Sequence, residues 1–162
     1  MIALNKNNIA FKALQPMFAV VANILLAYIV YFVARVAYLL ENYSLFKEGL
    51  SFEHLIRMFQ GGLMFDTTAI VYSNALYILL MLFPLWLKET NTYHRFCRWL
   101  FVIVNAIGLF LNLCDAVYFP FTLRRTTTSV FREFDNENNL GSIFVTELVN
   151  HWYFVLVFVV VV

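Results

Sequence analysis

The residues best equipped for chemistry lie late in the chain. Asp115 sits in an apolar run that exits at Pro120, and the adjacent guanidinium groups of Arg124 and Arg125 follow, with the hydroxyls of Thr126, Thr127 and Thr128 behind them. Guanidinium forks match phosphate oxygens with two parallel hydrogen bonds and hydroxyls complete the shell, so at a bilayer surface this stretch would cradle a phosphate. The plainer alternative is an interfacial arginine pair bridging to Asp115, Asp66 or lipid headgroups without selectivity, and the pattern leaves both open. Asp66 with Asp115 admits a second chemistry, a proton or cation relay, because paired carboxylates in a membrane mark such paths; against it stands pairing of each with a neighbouring arginine. His54, His94 and His151 show no metal-ligand spacing, and no glycine-rich phosphate loop, nucleophile elbow or zinc motif occurs. Neither a metal site nor a catalytic residue is expected within these 162 residues.

The elements that must position these groups are greasy helices. Hydrophobic residues make up 62% of the chain and charged ones 13%, against roughly 45–50% and 25% in soluble domains, which marks a membrane protein. Eighteen Phe and nine Tyr suit lipid-facing and headgroup-level surfaces. The net charge of +1 leaves no nucleic-acid footprint. Cys97 and Cys114 fall near opposite ends of one expected helix, too far apart to bridge, and read as packing residues.

The spacing predicts an all-α, polytopic membrane helix bundle. A first span covers about 16–40, long enough to cross roughly 30 Å of hydrocarbon, with Arg35 near its far end as an anchor that snorkels to the interface. Phe52, Leu55, Ile56 and Phe59 recur at three and four, with Ser51 placed to cap the first turn; this predicts an interfacial amphipathic helix over about 51–60, broken by Gly61-Gly62. A second span covers about 63–87, with Asp66 near its start and Asn74 near its middle. A third covers about 99–118, and its Asn105 and Asn112 are expected to hydrogen-bond between helices. A polar loop over 121–147 leads to a fourth span at 148–162, flanked by His151 and Trp152. At about 15 residues, roughly 22 Å, it is expected to be truncated.

Successive spans reverse direction. Arg35, Asp66, Asp115, Arg124, Arg125, Glu147 and His151 are therefore expected at one leaflet, together with the amphipathic helix. Lys and Arg are tied between the two faces, with Lys6, Lys12, Lys88, Arg95 and Arg98 against Lys47, Arg57, Arg124, Arg125 and Arg132. Shorter loops on the first face tip the expectation to a cytoplasmic N-terminus and an outer-face Arg124-Arg125 loop.

Phe65-Asp66 opening a span with Tyr72-Ser73-Asn74-Ala75-Leu76-Tyr77 behind it, then Asn112 to Phe119, then Phe121-Thr122-Leu123-Arg124-Arg125-Thr126-Thr127, resembles the N-terminal membrane domain of the lipoteichoic acid synthase family. These are sulfatase-like phosphoglycerol or phosphoethanolamine transferases of the alkaline phosphatase superfamily, and the likeness is closest to Bacteroidetes members. It covers about Arg57 to Tyr153, and the segment from Asp115 to Thr127 is its most specific part.

The resemblance implies a five-helix domain in the bacterial inner membrane, joined to an α/β catalytic domain outside the cytoplasm that is absent from this chain. There a threonine nucleophile on a divalent metal (Mn, Mg or Zn) would pass a phospho-alcohol headgroup from membrane phospholipid to an envelope acceptor. The full-length parent would be a phosphotransferase or hydrolase, and this part would be non-catalytic. Arg124, Arg125, Thr126, Thr127, Asp66, Asp115 and Arg35 would then hold lipid headgroups or dock the missing C-terminal domain. Two alternatives stand beside this one: a transporter or channel subunit with Asn23, Asn74, Asn105 and Asn112 lining a path, and a pure anchor or scaffold.

Overall fold

The computed structural model describes residues 6–49, 51–83, 90–123 and 140–162. Regular structure among them is helical throughout, with no strand. In chain order these helices are α1 (Lys6–Glu41), α2 (Tyr43–Phe46) with a 3-10 turn at Lys47–Gly49, α3 (Phe52–Ser73), α4 (Ala75–Leu82), α5 (Asn91–Thr122), α6 (Leu140–Asn150) and α7 (Trp152–Val161). Two segments are long and apolar enough to cross a membrane, Leu14–Glu41 with 28 residues and Asn91–Phe121 with 31. The pair α3 and α4, bent by 56°, makes a third if it is one span. The expected fourth span appears as α7, whose length falls short of a crossing.

Both long helices are patterned for an apolar solvent. On α1, Phe18, Val21, Leu25, Ile29 and Phe32 form an exposed stripe at spacings of three and four, while Val20, Ala27, Tyr31 and Ala34 are buried. On α5 the exposed set is Phe96, Trp99, Ile103, Ile107 and Phe110, and the buried set is Cys97, Phe101, Asn105, Leu109, Leu113 and Ala116. The small residues Ala27, Ala34 and Ala116 and the amide of Asn105 thus face the protein beside larger apolar ones, while the exposed sets are wholly apolar or aromatic, as expected where lipid is the solvent outside.

Helix α3 begins as the spacing predicts. The Ser51 hydroxyl accepts from the His54 N–H at 3.2 Å, capping the first turn. It does not end as predicted, because the helix runs through Gly61-Gly62 to Ser73. A helical glycine costs about 1 kcal/mol relative to alanine, whereas unpaired peptide groups in lipid cost several. The break falls instead at Asn74, which the sequence marks only as a polar residue in mid-span.

The same local arrangement recurs at three breaks. Asn42, Asn74 and His151 have φ/ψ of −97°/15°, −94°/6° and −108°/38°, between helix and turn. In each, the backbone N–H still reaches the carbonyl four residues back: Asn42 to Tyr38 at 3.1 Å, Asn74 to Ile70 at 3.0 Å, His151 to Glu147 at 2.9 Å. In each, a side-chain nitrogen returns to that same carbonyl at 3.0 Å. The last helical carbonyl before each break therefore accepts from both the backbone and the side chain of the break residue, which ties that side chain to its own helix.

The chain divides into two compact units, Met1–Ile29 with Gly62–Asn105, and Val30–Gly61 with Ala106–Val162. In the first unit, the Asn23 amide donates to the Tyr77 hydroxyl at 2.6 Å, and the Tyr77 and Phe101 rings lie 5.1 Å apart. The Tyr28 hydroxyl donates to Thr67 Oγ1 at 2.9 Å, which in turn donates to the Leu63 carbonyl at 2.7 Å. In the second unit, Ala34, Leu109, Leu113, Ala116 and Phe154 form a core flanked by Val30, Tyr38 and Phe158. Tyr38, Phe46 and Phe119 make an aromatic trio with centroids 5.3–6.3 Å apart.

Tyr31 of the second unit lies directly over Gly108. A Cβ there would overlap the Tyr31 hydroxyl and sit 3.2 Å from its Cζ. Because Tyr31 is buried, the ring cannot swing away freely. Gly108→Ala is expected to cost about 1–3 kcal/mol by overpacking. Adding Tyr31→Phe should recover part of that loss in thermal unfolding of the detergent-solubilised protein, and equal melting of the single and double variants would show that Tyr31 does not set the constraint.

Candidate functional site

The last turn of α1 is the point at which the second unit draws its polar groups together. Glu41 and Asn42 are consecutive and reach different helices. Asn42, 1% exposed, donates from Nδ2 to the Ala116 carbonyl on α5 at 2.9 Å as well as to Tyr38. Its Oδ1 is buried with no hydrogen-bond partner among the described residues. Glu41 is half-buried, and its two carboxylate oxygens grip the start of α7. Oε2 accepts from the Tyr153 hydroxyl at 2.6 Å, and Oε1 lies 3.3 Å from His151 Nε2. His151 Nδ1 lies 3.0 Å from the Glu147 carbonyl and 3.3 Å from Glu147 Oε2. The Phe154 ring stacks on the imidazole at 6.1 Å between centroids, and the Tyr153 ring meets it edge-on at 5.9 Å.

Of the groups expected at one leaflet, Glu147 and His151 are thus in direct contact. Arg35 is half-buried on α1 and Asp115 is buried on α5, both in the second unit, while Asp66 is half-buried on α3 in the first. All three are engaged in interactions with the rest of the chain. Arg124, Arg125, Thr126 and Thr127 lie outside the described residues, as does most of the 121–147 loop. The backbone reaches them through Leu123, held at φ 53° with its N–H on the Phe119 carbonyl at 2.8 Å. That left-handed turn costs a side-chain-bearing residue roughly 1–2 kcal/mol and redirects the chain as α5 ends.

Glu41 and Tyr153 carry no motif and are not singled out by spacing. A signal for Glu41 does exist: it is the acid that closes the first span, and alternation puts the start of the fourth at the same leaflet. Among the described residues no group of three or more His, Cys, Asp and Glu side chains could hold a metal ion. What the described contacts do is fasten the end of α1 to the start of α7.

The expected interhelical asparagine bonds are met in part. In the first unit Asn74 and Asn105, both buried, exchange amide bonds of 2.8 and 3.2 Å. Asn112 instead donates to the Gly108 carbonyl of its own helix at 2.9 Å. The reciprocal pair fixes the bend at Asn74 to α5. No protein-family model matches the chain, and neither does any curated protein or solved structure.

Asn74→Ala and Asn105→Ala should each destabilise the protein, and a double-mutant cycle should return a coupling of about 1 kcal/mol, the size of interhelical amide bonds in membranes. Simple additivity in detergent unfolding would mean the two amides do not support one another.

Proposed function

We propose that the chain is the membrane domain of a bacterial envelope enzyme that transfers a phospho-alcohol headgroup, phosphoglycerol or phosphoethanolamine, from phospholipid to an envelope acceptor. Its part is to anchor the enzyme in the inner membrane, N-terminus cytoplasmic, and to present lipid at the outer face beside Arg124 and Arg125. The catalytic step and its divalent metal belong to a domain beyond these residues. A site acting on lipid headgroups gains from being held at the leaflet, because tethering replaces a search with a high local concentration.

The observation that carries the anchoring role over the transporter alternative is the fate of the intramembrane amides. Asn23, Asn74, Asn105 and Asn112 all donate their side-chain N–H groups to the protein itself. Polarity spent on the protein's own hydroxyls, amides and carbonyls does not line a path. The headgroup chemistry is supported by the resemblance over about Arg57 to Tyr153, whose motifs fall between Phe65 and Thr127.

Membranes carrying the full-length gene product, supplied with phosphatidylglycerol or phosphatidylethanolamine and a divalent metal, should release diacylglycerol as the phosphate ester moves to its acceptor. No diacylglycerol from either lipid would sink the transferase reading. The paired change Arg124→Ala with Arg125→Ala should lower release roughly tenfold, the scale of a lost bidentate phosphate contact. Unchanged release would leave the anchor and remove lipid presentation from these two arginines.

A further inference from the structure

The break at His151 differs from those at Asn42 and Asn74 because the side chain that closes it can gain a proton. Both ring nitrogens face oxygens. Nδ1 is 3.0 Å from the Glu147 carbonyl and 3.3 Å from the Glu147 carboxylate, and Nε2 is 3.3 Å from Glu41 Oε1. A neutral imidazole has one N–H and one lone pair. With its proton on Nδ1, the Nε2 lone pair points at Glu41; with it on Nε2, the Nδ1 lone pair meets Glu147. Only the doubly protonated ring offers a donor on both sides.

Glu41 has little room to relieve this by turning. Its other oxygen already accepts from Tyr153 at 2.6 Å, so the carboxylate is pinned at both ends. A proton drawn on Glu41 Oε1 in place of Nε2 gives the same requirement, one shared proton between the two groups. Among the described residues, the other titratable groups on the elements packed here include Tyr153 on α7, Arg35 and Tyr38 on α1 and, on α5, Cys114 and Asp115, neighbours of the Leu113 and Ala116 that pack in one core with Phe154. The side chains of His151, Glu41 and Glu147 are 20%, 21% and 31% exposed. At a membrane face, where alternation of the spans is expected to put these groups, that exposure admits water for proton exchange, while the contacts are not fully screened as on an open surface.

We propose that Glu41, Glu147 and His151 form a proton-operated clasp that fastens the α6–α7 break to the end of α1. The proton-loaded clasp is closed. As pH rises and the shared proton leaves, an imidazole lone pair is set against a carbonyl or carboxylate oxygen, and the first turn of α7 loses one of its two holds, with the Tyr153 hydroxyl on Glu41 as the one that remains. The device needs no particular enzyme attached to the chain, so it stands or falls apart from the headgroup-transfer reading. Its consequence is that the seating of residues 147–154 follows the proton concentration at the membrane face where they lie.

The test is hydrogen exchange of amides 151–155 in the full-length protein in phospholipid nanodiscs between about pH 5 and pH 8, corrected for the intrinsic pH dependence of exchange. Protection should fall roughly fivefold as pH rises, the scale of one partly buried charge pair. His151→Gln should flatten that profile. Glu41→Gln, which keeps an acceptor for Tyr153 but no charge for the imidazole, should flatten it too. A flat profile in the unaltered protein, or a full pH response in Glu41→Gln, would overturn the clasp. Should His151→Gln fail to fold, the ring 15N shifts of His151 in the unaltered protein decide: a neutral tautomer at about pH 5 overturns the proposal, and the imidazolium supports it.

Discussion

Every peptide group in a hydrocarbon solvent must find its partner inside the protein, and the described structure is arranged around the places where a helix could fail to provide one. A continuous helix solves the problem by itself, which is why α1 and α5 run for 36 and 32 residues. Where the chain turns, a side chain joins the backbone. Asn42, Asn74 and His151 each return a nitrogen to the carbonyl four residues behind, which already accepts their own backbone N–H. The same three side chains then reach outward, to the Ala116 carbonyl, to Asn105 and to Glu41. Each break is thereby held to its own helix and attached to another.

This explains why the spans could be read from the sequence while their irregularities could not. Length and apolar content report directly on the long helices, and the predicted 16–40 and 99–118 lie inside the observed Leu14–Glu41 and Asn91–Phe121. The Ser51 cap was legible because capping is a local matter of one hydroxyl and one N–H. Gly61-Gly62 looks like a stop because glycine is weighed against water, which could take over the freed peptide groups; lipid cannot. Asn74 looks like a packing residue because nothing in an apolar run distinguishes an amide that bonds sideways from one that also bonds backwards. Asn112, with the same residue type and a similar depth, stays within its own helix.

The polar site was legible in outline only. Glu147 and His151, four residues apart, touch as neighbours one helical turn apart. Alternation of the spans does not single out Glu41, which at the end of a span reads as an ordinary connector acid, nor Tyr153, whose hydroxyl completes the grip. Those roles depend on how α1 and α7 meet, which is a tertiary fact. The first helix thus ends in two adjacent residues with opposite habits: Asn42, sunk in the core and holding α5, and Glu41, near the rim and holding α7.

The distances along the chain at which these attachments are made also impose an order on assembly. Asn74 and Asn105 are separated by 31 residues, Asn42 and Ala116 by 74, and Glu41 and Tyr153 by 112. A nascent chain emerging from the ribosome would meet its partners in that sequence, since each later helix has to be made before the earlier amide or carboxylate can be satisfied. Until then each waiting group is a polar residue facing lipid or the insertion machinery. The end of α1 waits longest, so among the described helices the one made first is the last to have its polar terminus paired.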